Sequence, residues 1–211
     1  MDDQALDQAL IAAGFEQIAA HGWHSFSVAA AARAAGLPLD RARARCSCRA
    51  RFLLRFGRIA DAATLAGADQ EGPTRDRLFD LLMRRIDVMQ AHRPGVIALL
   101  KALPLDPPAA LLLANSSLVS MGWILEAAGI EAGGPMGQLR RKGLLAVWLW
   151  TLRAWERDGS EDLSATMAAL DQALDKAGQV AAWLRGRGER AAEPVAEPGA
   201  KQDDAPPPPE S

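Results

Sequence analysis

The chain of 211 residues has no tyrosine, four threonines, seven isoleucines and seven valines, and aromatic residues make up only 5% of it. β-Branched and aromatic side chains are the ones that furnish strands, so their scarcity excludes most sheet-based folds. Histidine occurs three times, as His21, His24 and His92, and no Gly-x-Ser-x-Gly or His-Glu-x-x-His pattern is present. The chain is therefore poor in general-base candidates and lacks these hydrolytic patterns, and no enzyme is expected. His21 and His24 flank Trp23 and read as turn residues. The two cysteines, Cys46 and Cys48, are one residue apart, too close for an ordinary disulfide and short of a four-ligand metal set. No metal or cofactor is expected, and a reducing cytoplasm is the expected compartment. Neighbouring arginines would lower a thiol pKa here; we read the pair as small residues filling a helix junction.

Long apolar runs are also lacking. Residues 109–125 are interrupted by Asn115, Ser116, Ser117 and Ser120, and residues 144–150 are fully apolar but short. A spanning helix needs about 20 apolar residues, so no integral membrane segment is expected and both stretches read as buried helices. The N-terminus begins with Asp2 and Asp3, unlike the basic start of a signal peptide.

What the chain has in excess is alanine, 43 residues of it. Alanine carries the lowest helix cost of any residue, and the composition predicts an all-α fold. Apolar periodicity and Gly/Pro breaks place nine helices, over residues 4–20, 28–35, 39–46, 49–66, 75–90, 94–103, 107–128, 136–157 and 161–185. Ser160, Glu161 and Asp162 suit the start of the last one. The glycine-rich residues 129–137 lack the preceding strand and the Lys-Ser/Thr ending of a phosphate loop, and read as a connector. From Gly186 the chain turns to proline and acid, with Pro194, Pro198, the run at 206–209 and six carboxylates. Such a composition cannot offset its ordering entropy by burial, so a disordered tail is expected over residues 186–211.

Net charge is −2, yet it is unevenly spread: +3 over residues 1–60, −2 over 61–185 and −3 beyond. Between Arg41 and Ala60 there is no acid, while Arg41, Arg43, Arg45, Arg49, Arg51, Arg55 and Arg58 all fall there. Three short helices in under 50 residues, with a Gly36 turn before the third, match a helix-turn-helix module. A basic second helix of such a pair would meet DNA phosphate, with Arg41, Arg43 and Arg45 as its contacts.

Residues 13–23 (Ala-Gly-Phe-Glu-Gln-Ile-Ala-Ala-His-Gly-Trp), Ser27-Val28 and residues 31–37 (Ala-Ala-Arg-Ala-Ala-Gly-Leu) resemble the N-terminal region of TetR-family transcriptional regulators. The resemblance covers residues 10–56 in motif detail and the rest in architecture. It implies a DNA-binding domain at 1–60, a helical ligand-binding and dimerisation domain at 61–185, and the tail beyond. It also implies that Ser27 supplies a phosphate-contacting hydroxyl, that Pro38, Leu39 and the residues to Ala44 form the recognition helix, and that Arg49 meets phosphate. Where the family commonly carries aromatic residues late in that helix and just after it, this chain has Arg43, Ala44 and Cys46.

The expected partners are double-stranded DNA, a small apolar effector and a second copy of the chain. Met121, Trp123, Leu125, Trp148 and Leu152 are the candidate pocket lining, and Leu144, Trp155 and Leu170 the candidate dimer seam. The second half, through residues 151–155, 158–162 and 166–171, also resembles TetR-fold lipid-binding proteins of ubiquinone biosynthesis. That resemblance implies a lipid or quinone carrier without DNA binding as the alternative to a ligand-responsive repressor.

Overall fold

Asp2 starts the first helix by accepting the Ala5 N–H at 2.7 Å, and α1 (Asp3–His21) then buries Leu6, Leu10, Ile11, Phe15 and Ile18 along one stripe. Gly22 ends it at φ 79°, a conformation a side chain would resist, and hands the chain to a 3-10 turn at Trp23–Ser25. Next come α2 (Val28–Ala34), a turn through Gly36 at φ 64°, and α3 (Leu39–Arg45). The remaining helices are α4 (Arg49–Leu65), α5 (Thr74–Gln90), α6 (Arg93–Ala102), α7 (Pro107–Ala127), α8 (Gly134–Arg157) and α9 (Ser164–Ala192), with a second 3-10 turn at Leu103–Leu105. The computed structural model describes residues 2–68 and 71–192, and among them there are nine α-helices and no strand. The chain divides into two units, residues 1–177 and the part from Gly178 on.

Within the first unit α1 packs on α6 and α2, α4 on α5 and α7, and α7 on α8. The α1–α6 crossing is very close: a Cβ at Gly95 would lie 2.3 Å from the Phe15 carbonyl oxygen. Around it four of the five phenylalanines and His92 form one aromatic cluster, with Phe15 against Phe52, Phe56 and the stacked His92 ring, and Phe26 against Phe52 and Trp23. Burial holds the His92 imidazole below its ordinary pKa. Each buried Phe of this cluster, Phe15, Phe26 and Phe52, contributes about 1.5–3 kcal/mol by removal from water. Four of the phenylalanines are thus concentrated where the N-terminal helices join α4 and α6, whereas five of the six tryptophans lie elsewhere.

Three expectations change. The last helix begins at Ser164, three residues later than its acidic start suggested. Asp158 instead accepts from the Ser160 N–H and hydroxyl and from the Thr166 N–H and hydroxyl, pinning a loop that Leu163 crosses at φ 56°. Those four bonds hold the Asp158 carboxyl far below the usual carboxylate range. Residues 186–192, expected in the tail, have helical backbone. Gly186 and Gly188 weaken a helix without stopping it. The expected tail beyond 192 lies outside the described residues.

The third change concerns the apolar stretches. Among the described residues α7 is the one helix long and apolar enough to cross a membrane, but only 28% of its apolar window is buried. Apart from Ala109, its buried residues are Ser120, Met121, Gly122, Ile124 and Leu125, all in the half nearest its C-terminus. Residues 144–150 are likewise half covered: Leu144, Val147 and Trp148 are buried, while Leu149 and Trp150 are exposed. The loop at 129–133 is self-packed as a connector, with Glu126 accepting the Ala132 N–H at 2.8 Å and Gly137 fitting closely against Ala132.

Candidate nucleic-acid interface

Helical geometry sorts the three arginines of α3. At about 100° per residue, Arg41 and Arg45 share a face and Arg43 points the opposite way with Leu39, while Ala44 lies between the two. The inward face meets α1. Arg41 bonds Asp3 at 3.0 Å, Arg45 bonds Asp3 at 2.9 Å, and Arg45 grips the Asp7 carboxylate through two guanidinium nitrogens. Arg55 of α4 approaches the same Asp7 at 3.4 Å. Asp7 is buried despite its charge, which such pairing makes tolerable. The hydrogen bonds to Asp7, and its charge, push the Arg45 pKa further up.

This clasp answers the missing aromatic residues of the third helix. Within α3 only Ala42 is buried, with Cys46 just after it, and so little apolar surface cannot by itself dock seven residues. The ion pairs to α1 supply the attachment. Arg43 is exposed, as are Pro38, Leu39 and Ala44, so these form the outward surface. Ser27 precedes α2, exposed, its hydroxyl capping nothing and its backbone N–H donating to Gln17 at 3.3 Å. Asp3 and Asp7 were not among the expected functional residues. Their four-residue spacing, matching that of Arg41 and Arg45, was the signal available.

Arg49 is turned inward in part. Its guanidinium lies 5.5 Å from the Trp23 ring centroid and donates to the carbonyls of Trp23 and His24 at 3.5 and 3.3 Å. It therefore braces the turn between α1 and α2, which competes with the phosphate contact expected of it. The Trp23 indole N–H donates to Asp106 at 2.8 Å, while the other oxygen of that carboxylate accepts from the Ala109 N–H at the start of α7. These bonds hold the Asp106 carboxyl below its ordinary pKa. The turn beside the helix-turn-helix is in this way tied directly to α7.

Burial also decides the thiols. Cys46 is buried and its pKa is pushed up, because desolvation outweighs the nearby Arg55 and Arg45 charges; the arginine-rich surroundings do not activate it. Cys48 is exposed ahead of α4. Among the described residues no group of three His, Cys, Asp or Glu side chains is placed to hold a metal.

Of the expected pocket residues, Met121, Leu125 and Trp148 are buried and Leu152 half-buried on the packed helices α7 and α8. Trp123 is 61% exposed and lines no interior, because it sits on the far side of α7 from Met121 and Leu125. Beside Trp148 the interior is polar: Arg85 lies 5.5 Å from its ring centroid, pairs with Asp61 and approaches Ser120, whose hydroxyl donates to Asp61 at 2.9 Å. The expected dimer residues are all interior. Leu144, Trp155 and Leu170 are 5%, 0% and 0% exposed within one chain, so a partner cannot reach them. Trp155 donates to Gln90 at 2.8 Å and lies under Arg93, 4.8 Å from its ring centroid. The exposed large apolar residues of α8 are Met136, Leu139, Leu149 and Trp150.

Neither a protein-family model nor a curated protein matches the chain. Among solved structures it is similar to the crystal structure of the TetR transcriptional regulator from Nitrosomonas europaea ATCC 19718, with 20% identity and a TM-score of 0.60 over 83% of this chain and 99% of that one. The all-helical chain thus has a TetR-like fold.

Proposed function

We propose that the chain is a cytoplasmic DNA-binding transcriptional regulator, acting as a ligand-responsive homodimeric repressor on its TetR-like fold. The observation that carries this reading is the sorting of α3: Arg41 and Arg45 are held by α1, while Arg43, with Leu39 and Ala44, faces outward from the second helix of a helix-turn-helix. Arg is suited to phosphate or to a guanine edge by its planar, bidentate fork. Ser27 adds an exposed hydroxyl at the start of α2.

Residues 1–60 are the DNA-facing part and 61–185 the effector and dimer part of this proposal. Met121, Leu125, Trp148 and Leu152 are the residues we assign to the small apolar effector. The close Phe15–Gly95 crossing and the Trp23–Asp106 bond connect α1 and its turn to α6 and α7, which supports coupling between effector and DNA. On α8, Met136, Leu139 and Trp150 recur at helical spacing on one exposed face, and we assign the homodimer contact there.

The test is a mobility-shift assay against the DNA upstream of the chain's own gene at two salt concentrations, followed by binding-site selection. A shift that weakens with salt is expected. No shift on any selected duplex, together with an isoprenoid co-purifying in native mass spectrometry, would establish the lipid carrier instead.

A further inference from the structure

Arg51, Arg55 and Arg58 follow one another on α4 at i, i+4 and i+7, and so share one side of the helix. With Arg45, Ala44 and Ser47 from the end of α3 and the turn after it, they line an open cleft of about 400 Å³. Four guanidinium groups and a hydroxyl thus face one space. The acids nearby are already engaged: Asp7 lies against Arg45 and Arg55, and Asp3 against Arg41 and Arg45. Arg51 and Arg58 are exposed and form no ion pair among the described residues. Arg55 has a buried Nε that donates to nothing. Like charges four residues apart repel and destabilise a helix unless something neutralises them, and a buried donor left without an acceptor is costly.

We propose that this cleft is a binding site for phosphoryl groups. Phosphate is the anion whose geometry matches several guanidinium forks at once, each offering paired N–H donors to its oxygens. Two sources carry that chemistry. One is the backbone of duplex DNA beyond the reach of the outward face of α3; the other is a free compound bearing two or more phosphates. The DNA source rests on the regulator reading above, whereas the free source does not.

The test compares the full chain with R51Q/R58Q, and with R153Q/R157Q, which removes the same charge from exposed positions of α8. All three are titrated with inorganic pyrophosphate at low salt, and their affinity for a selected duplex is measured between 50 and 200 mM salt. If the source is free, R51Q/R58Q loses at least about tenfold in pyrophosphate affinity and R153Q/R157Q does not. If the source is DNA, pyrophosphate is not held, and the slope of log affinity against log salt becomes shallower by about 1.8 in R51Q/R58Q, from two phosphate contacts at about 0.9 each. The proposal is overturned if neither changes, or if the α8 variant matches the cleft variant in both. Should R43A weaken duplex binding about 10- to 100-fold while the cleft variant alters nothing, the regulator reading survives and the cleft does not. Should no duplex bind while pyrophosphate does, the reverse holds.

Discussion

Replacing Trp155 by Ala separates two roles that its apolar character alone does not: an interior residue and a dimer contact. The ring is 0% exposed in one chain, its N–H bonds Gln90 at 2.8 Å, and the Arg93 guanidinium lies over it. Truncating a buried Trp costs about 3–5 kcal/mol through lost burial and the cavity left behind. Loss of the hydrogen bond adds about 1 kcal/mol and loss of the cation–π contact about 0.5–1 kcal/mol. The sum is about 5–7 kcal/mol, and for a domain of this size each kcal/mol moves Tm by about 2–4 °C. Trp155→Ala should therefore lower Tm by about 10–28 °C, read by circular dichroism at 222 nm. Trp155→Phe, which keeps most of the ring and loses the N–H, should fall between the two. A Tm within about 3 °C of the parent, accompanied by conversion of dimer to monomer in light scattering, would refute this assignment and restore Trp155 to the seam.

The converse holds for Trp150, exposed on α8 with Lys176 near its ring: Trp150→Glu should leave Tm within about 2 °C and yield a monomer by light scattering. On α3, Arg43→Ala should weaken duplex binding about 10- to 100-fold with no change in Tm, measured by fluorescence anisotropy, as expected for one lost Arg contact of about 1–3 kcal/mol. Gly95→Val should destabilise by at least about 1–3 kcal/mol, because its side chain must push α6 away from the Phe15 backbone; denaturant titration reads this directly. The Asp158 carboxyl is held below its ordinary pKa, so its stabilisation is present above about pH 4 and is lost as pH falls toward the folded value. Asp158→Asn should accordingly be less stable near pH 7 and lose less stability than the parent between about pH 5 and pH 3; parallel acid curves would contradict the role given to the loop.

Much of the helical framework was legible because its signals are local. Gly22 and Gly36 mark the two turns they occupy at positive φ, and Pro107 stands in the first turn of α7. The expected start of the last helix failed for a reason outside its own sequence window: Asp158 captures both Ser160 and Thr166, and Leu163 is held at φ 56° between them. Capping chemistry was present where it was sought, but it acts three residues later: Asp162 accepts the Ser164 N–H and Asp158 the Thr166 N–H, both in the first turn of the helix. The role of the α3 arginines was half legible. Their i, i+4 spacing already set Arg43 apart from Arg41 and Arg45, yet which side faced inward depended on α1, 38 positions away.

By itself the sequence determined the all-α class, the nine helices found among the described residues and a basic N-terminal end. Composition and short-range periodicity suffice for these, since a helix is closed by bonds between residues four apart. Only the tertiary structure decided exposure: that Trp155, Leu144 and Leu170 are interior and Trp123 is not, that Cys46 is buried among arginines without being activated, and that Asp3 and Asp7 claim two of the three arginines of α3. Exposure and charge pairing arise from contacts between segments far apart in the chain. An amphipathic stripe shows that a face will be covered and leaves open what covers it.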